Sequence, residues 1–209
     1  YVDMSGTAAS LDLTSEITIA AWLKLNSYPT IEAWKWRAIS KLSSSYLGYD
    51  IELAGTGAST KILANYGNGV DSWQNKTTLT TPPLNTWFHI AATFKANGSG
   101  KIYYNSALER SAAVGNLAGN PTKNLNLNKD YKVWNGLIDE VRVYNRALSA
   151  EEIRYHYNRG GPTLQYKFEE GSSLTTYDSS GNNNNGDLQN NMATTSWTTG
   201  KSGSALLFD

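Results

Sequence analysis

Asp178-x-Ser180-x-Asn182-x-Asn184, closed by Gly186, sets oxygen-bearing side chains at alternate positions of one loop. That spacing can wrap a hard cation, as D-x-N-x-N calcium loops do. The loop holds a single charge, so tight binding needs a second carboxylate, and Asp139 is the candidate. Alternation places Asp139 on one strand face with Leu137, Val141 and Val143. An unpaired carboxylate is costly there, and a cation or a ring of backbone donors would relieve that cost. The competing reading is an Asx-turn loop, with Asp139 held by backbone amides. Glu140 should face away and pair with Arg142 or another surface base.

A second constellation is aromatic. Trp34 and Trp36 lie in the polar stretch Glu32-Ala-Trp-Lys-Trp-Arg37, and Trp73 in Tyr66-Gly-Asn-Gly-Val-Asp-Ser-Trp-Gln-Asn75. Trp134 precedes a strand beside Tyr131. Sugars bind by stacking C–H faces on aromatic rings while Asp, Asn and Gln read their hydroxyls. Loop-borne Trp73 beside Asp71, Gln74 and Asn75 has those ingredients. Trp34, Trp36 and Trp134 are further candidates, against the alternative that large aromatics cap a sandwich core. Trp22 and Trp87 lie within strands and read as packing residues.

Acid–base chemistry is poorly represented. Asp50-x-Glu52 puts two carboxylates on one strand face, within about 5–7 Å of each other. Position 48 is Gly48, not a third acid, so the pair reads as a solvated face. Glu151-Glu152 and Glu169-Glu170 read as surface acids. His89 falls opposite Phe88, Ile90 and Phe94, and no Ser/Asp pattern accompanies it as a triad would require. Cys is absent, which excludes thiol catalysis, disulfides and Cys-based zinc sites.

These groups must be positioned by strands. Ile17 to Leu25 has apolar residues at every odd position, and Phe88, Ile90, Ala92 and Phe94 share a face. Such period-two alternation marks half-buried antiparallel strands. Further strands are predicted near 38–42, 46–53, 59–66, 76–80, 100–105, 108–114, 124–128, 164–169 and 203–208. Turn clusters about every ten residues fit an all-β, antiparallel two-sheet jelly-roll sandwich. One short helix interrupts it near the C-terminal third. Ser149-Ala-Glu-Glu152 is a capping box, and the helix should run to about Asn158, before Gly160-Gly161-Pro162 breaks it.

The chain's 209 residues suffice for one large β domain or two small ones. Lys and Arg number 18 against 18 Asp and Glu, so no general attraction to nucleic acid is expected. No apolar run reaches the roughly 18 residues of a membrane span. The Asn, Thr, Ser and Gly content with 17% charged residues reads as a secreted or surface module.

The segment Asn135-Gly-Leu-Ile-Asp-Glu-Val-Arg-Val-Tyr-Asn-Arg-Ala-Leu-Ser-Ala-Glu-Glu-Ile153 closely resembles the closing strand and helix of laminin-G-like, concanavalin A-like jelly rolls. Asn85-Thr-Trp-Phe-His-Ile-Ala-Ala-Thr-Phe94 is similar to their central strand. Lys101-Ile-Tyr-Tyr-Asn-Ser106 is similar to the next, with Ser where the family usually has Gly. The resemblance implies frequent structural calcium. Glycosidases on related jelly rolls carry a Glu-x-Asp-x-x-Glu or Glu-x-Asp-x-Glu strand, and no such run occurs here.

Segment order is unusual. In the family, a stretch like Leu164-Gln-Tyr-Lys-Phe-Glu-Glu-Gly and Tyr177-Asp-Ser-Ser-Gly-Asn comes first. It ends like Ala205-Leu-Leu-Phe-Asp209 and turns into one like Tyr1-Val-Asp-Met4. Residues 1–160 thus resemble a domain lacking its first strands, and 164–209 the missing piece, completing a sandwich in cis or in a neighbouring copy. The expected function is a non-catalytic extracellular adhesion module recognising glycans or surface partners, with structural calcium. The alternatives are a structural repeat joined by strand exchange through 164–209, or an accessory domain of a glycosidase.

Overall fold

Alternating side chains turn each strand into a two-faced ribbon, and burying one face of each sheet against the other builds the molecule. The computed structural model describes residues 2–3, 9–30, 36–43, 45–128, 132–158, 164–180, 183–188, 196–201 and 203–207. In chain order the elements are β1 (Val2–Asp3), β2 (Glu16–Leu25), β3 (Trp36–Leu42), β4 (Gly48–Ala54), β5 (Lys61–Tyr66) and β6 (Lys76–Thr77). There follow β7 (Trp87–Lys95), β8 (Ser99–Tyr104), β9 (Ala107–Ala113), β10 (Asn126–Leu127), β11 (Lys132–Val133), β12 (Gly136–Tyr144) and the helix α1 (Ala150–Tyr157). The last are β13 (Thr175–Thr176), β14 (Gly186–Asp187), β15 (Trp197–Thr199) and β16 (Ser204–Leu206).

One seven-stranded sheet runs β1-β10-β3-β4-β5-β6, with β11 parallel to β3. A five-stranded sheet runs β12-β2-β7-β8-β9. The odd residues Ile17 to Leu25 and the set Phe88, Ile90, Ala92 and Phe94 meet Ile39, Tyr49, Ile51, Leu53, Ile62, Ala64 and Tyr66 in one buried core. Each such large side chain contributes roughly 1.5–3 kcal/mol on burial. Phe88 stacks on Tyr104 at 5.4 Å between centroids, and truncating it to Ala would cost about 3–5 kcal/mol. Gly48 is required where β4 begins. Its φ is +87°, and a Cβ there would lie 1.8 Å from the Lys41 carbonyl.

The capping box at Ser149 forms as predicted. The Glu152 amide donates to Ser149 Oγ at 3.2 Å, and the Ser149 amide donates to Glu152 Oε2 at 2.9 Å. The helix spans Ala150–Tyr157, within a residue of its expected end. It covers the outer face of the five-stranded sheet, where Leu148 and Ile153 pack on Ala20, Ala91 and Tyr103.

The chain divides into two compact units, Tyr1–Ile153 and Arg154–Asp209. The second holds two short hairpins, β13–β14 and β15–β16. Its only buried described residues are Thr176 and Asp178, and Leu164, Leu174, Tyr177 and Leu207 are exposed. The strand predicted at 164–169 does not form. Tyr166 makes an isolated bridge to Asp178 instead.

Candidate functional site

Asn68 organises the loop after β5. Its Oδ1 accepts from the amides of Val70, Asp71 and Ser72 at 2.9–3.1 Å. Its Nδ2 donates to Asp71 Oδ1 at 3.0 Å and Ser72 Oγ at 2.8 Å. An Asn side chain satisfying its own loop fixes the turn at low entropic cost. Trp73 then returns to bridge Gly67, and its ring lies 5.4 Å from Tyr46. The Gly69 amide donates to the Tyr46 carbonyl at 2.9 Å, and Ala118 ties both segments to the 115–120 loop by donating to Gly67 and accepting from Gly48. Beneath, the buried Lys41 ammonium donates to the carbonyls of Asn120, at 2.7 Å, and Lys123. Burial lowers the Lys41 pKa, and the Asp12 charge counters part of that effect. The result is a rigid, half-buried Trp73–Tyr46 pair with exposed Asp71 and Asn75 on the same loop.

Of the predicted ligand residues, Asp71, Trp73 and Asn75 share this loop, and Trp36 and Trp134 lie elsewhere. Trp134 is 2% exposed, and its Nε1 donates to the Lys24 carbonyl at 3.2 Å, so it belongs to the core. Trp36 pairs with inward-facing Leu53 and packs against the same core. Trp34 lies outside the described residues. Tyr46 and Asn68 were missed. The Asn68-Gly69 dipeptide is the turn signal that could have drawn attention to the loop.

The cation reading meets a different geometry. Asp178 Oδ1 accepts from the amides of Gln165 and Ser180, at 3.0 and 2.8 Å, and Oδ2 from the amide of Asn184 at 3.0 Å. Burial alone would raise its pKa. Hydrogen bonds from Ser180 and from the amides of Gln165 and Asn184 outweigh burial and hold it well below the usual carboxylate range. Amide protons thus point at the oxygens a cation would need, and Asn184 turns its own carbonyl to the Tyr166 hydroxyl. This is the Asx-turn arrangement, in which amide donors already take up the Asp178 oxygens. Asn182 lies outside the described residues.

Asp139 is exposed, not on the apolar face. Asp139 pairs with Trp22 and Arg142 with Ala20, so Glu140 and Val141 together oppose Ala21. This β-bulge shifts the alternation by one residue. Leu137 and Asp139 face out, while Ile138, Val141 and Val143 pack against the core. Asp139 Oδ1 accepts from the Glu140 amide at 2.8 Å, and Glu140 pairs with Arg142 as expected. Among the described residues no three His, Cys, Asp or Glu side chains form a metal cluster.

The Asp50–Glu52 pair also departs from expectation. It faces away from the core, yet Asp50 is 0% and Glu52 5% exposed. The Arg37 Nε donates to Asp50 Oδ2 at 2.9 Å and lies 3.3 Å from Glu52 Oε2. Asn65 Nδ2 bridges the same two side chains at 2.7 and 3.1 Å. A bulge in β3 between Arg37 and Ile39 keeps Ala38 and Ile39 both in the core and sets Arg37 opposite Glu52. Two buried carboxylates share one guanidinium here.

Two antiparallel sheets enclosing one core, with a loop-borne aromatic pair at the rim, define a lectin-type jelly roll. Residues 1–154 match the laminin-G-type family model described as the concanavalin A-like lectin/glucanases superfamily, and the chain belongs to that superfamily. Solved structures share the fold at low identity. Domain 4 of AbnA, an extracellular arabinanase from Geobacillus stearothermophilus in complex with arabinotriose, is 21% identical, with a TM-score of 0.53 over 69% of this chain and 68% of that one. The binding domain of Paraclostridial Mosquitocidal Protein 1 is 17% identical, with a TM-score of 0.55 over 82% of this chain and 48% of that one. The heptameric SAP-like pentraxin from Limulus polyphemus is 10% identical, with a TM-score of 0.50 over 69% and 72%. No curated protein sequence matches the chain. No helix among the described residues is long and apolar enough to cross a membrane.

Proposed function

We propose that the chain is a non-catalytic, extracellular binding module that takes glycans on the loops around Trp73. The observation that carries this is the Trp73–Tyr46 pair, locked by the Asn68 turn beside Asp71. A preset ring loses little entropy on binding, so stacking contributes to affinity directly. The arabinotriose complex of the similar arabinanase domain supports glycan as the ligand class, and a surface protein is the competing partner. The burial of Asp50 and Glu52, the carboxylates best spaced for acid–base work, supports binding without catalysis. Glycan-array screening followed by titration calorimetry tests the reading. Trp73→Ala should weaken binding at least about tenfold, equivalent to ~1.4 kcal/mol. Unchanged affinity in that variant, or hydrolysis of the bound glycan, overturns it.

A second reading has its own support. The described residues of the unit Arg154–Asp209 bury no apolar side chain, so among them there is no core of the kind that holds a small unit folded. Residues 164–209 acting as strands donated to a neighbouring copy would supply one. Light scattering across a concentration series should then show assemblies, and a strictly monomeric chain counts against strand donation.

A further inference from the structure

On the outer face of the five-stranded sheet, Leu148 and Ile153 of the α1 segment pack on Ala20, Ala91 and Tyr103. Elsewhere on that face, strand register sets two rows across β12, β2 and β7. Leu137, Lys24 and Trp87 form one row, and Asp139, Trp22 and His89 the next. Leu137 is 50% and Trp87 38% exposed, Asp139 is exposed, and Trp22 and Lys24 are half-buried. His89 is buried and meets the Trp22 ring edge-on at 5.5 Å, which fixes the indole from below. Trp22 and Trp87 are diagonal neighbours on adjacent strands, a relation that spaces side chains by roughly 7–8 Å. The bulge in β12 matters here, because it leaves Leu137 and Asp139 on this face while the strand's later valines enter the core. Glu140 adopts φ 51° to make it, a left-handed conformation that a residue with a Cβ rarely takes.

We propose that this face is a second glycan-binding surface, suited to an extended, uncharged polysaccharide lying flat across the strands. The two indoles take the C–H faces of sugar rings along one chain. Lys24 donates to hydroxyls and Asp139 accepts from them. Charge selects this occupant. Lys24 and Asp139 cancel, as do the adjoining Glu140 and Arg142. A polyanion would meet Asp139 and a polycation Lys24, whereas a hydroxyl can serve both partners. Strand-borne side chains are already ordered, so little further entropy is lost on binding. The surface is separate from the Trp73 loops and does not depend on them.

Retention of the full chain on insoluble cellulose, xylan and mannan, with soluble carboxymethylcellulose as a charged comparison, tests the proposal. Wild type should be retained by at least one uncharged polymer. Trp22→Ala and Trp87→Ala should each cut retention at least tenfold, while Trp73→Ala leaves it in place. Lys24→Met and Asp139→Asn change the polar ends of a half-buried and an exposed side chain, and each should weaken retention while the chain stays folded, which keeps the test open where an indole variant does not fold. Failure of wild type to bind any uncharged polymer overturns the proposal, as does retention lost only in Trp73→Ala. A preference for carboxymethylcellulose, or for a protein ligand with no polysaccharide bound, overturns it as well.

Discussion

Asp50→Asn tests whether the buried carboxylate pair shares its one guanidinium by keeping a proton. Burial, and then the Glu52 charge, push the Asp50 carboxyl well above its usual range, against the pull of Arg37 and Asn65. Burial raises Glu52 too. The folded chain should therefore keep a proton over a pH range in which the unfolded chain, with carboxylates near 4, has released it. A carboxylate raised in this way contributes stability that is fully present below about pH 4 and drains away as pH climbs through the folded value. One extra proton bound in the folded state lowers the unfolding free energy by about 1.4 kcal/mol per pH unit. Asn offers one acceptor and one donor group, as the protonated carboxyl does, and cannot ionise. The difference between wild-type and Asp50→Asn stability should thus fall with rising pH at up to that slope, other titrating groups cancelling. Urea unfolding read by Trp fluorescence, from about pH 4.5 to about pH 8, measures it. Parallel stability curves for the two proteins would refute a shared proton. Arg37→Met removes the only cation of the cluster among the described residues and should cost about 3–5 kcal/mol at neutral pH. The loss should shrink near pH 5, where the carboxylates can neutralise themselves.

Asn68→Ala removes five side-chain hydrogen bonds from the rim loop. Amide exchange at Val70 to Ser72 should accelerate and glycan affinity fall with little change in Tm, and unchanged exchange would show that the loop is held by other contacts. Ser149→Ala takes away the helix cap and should cost about 1 kcal/mol in urea, a value near zero meaning that packing on Ala20 and Tyr103 alone sets the helix. Chelator should leave Tm unchanged, because the Asp178 oxygens already accept amide protons. A calcium-dependent stabilisation approaching the ~2.7 kcal/mol expected at a hundredfold excess over Kd would refute that geometry.

Much of the fold could be read from the residues. Ile17 to Leu25 and Phe88 to Phe94 alternate so regularly that only one face of each strand could enter a core, and the Ser149–Glu152 pair marked the helix start. The strand predicted near 203–208 forms as β16, whereas the β13–β14 pairing could not be read, because a two-residue ladder leaves no periodicity. The face of β12 was misread because a bulge adds a residue that alternation has no means of signalling. Asp50 and Glu52 were assigned to the correct face but the wrong environment, since period-two patterning tells which way a side chain points and not what covers it. Trp73 stood out because its loop carries Asp71 and Asn75 beside it. Trp22 and Trp87 were set aside as packing residues although both fall on the polar parity of their strands, opposite Leu23 and Phe88, and that parity was the sign that they lie outside.

The bulge in β12 has a consequence for length variation. Glu140 and Val141 stand opposite the single residue Ala21, so one of the two is surplus to the ladder. Deleting Glu140 would restore strict alternation, with Asp139 still facing out and Val141 and Val143 still facing in. A one-residue deletion within a central ladder normally inverts every side chain beyond it. Here it would leave both faces as they are and release the left-handed backbone at position 140. The strand can therefore lose a residue at this point without refolding, which makes it a place where the chain can be shortened while its core stays intact.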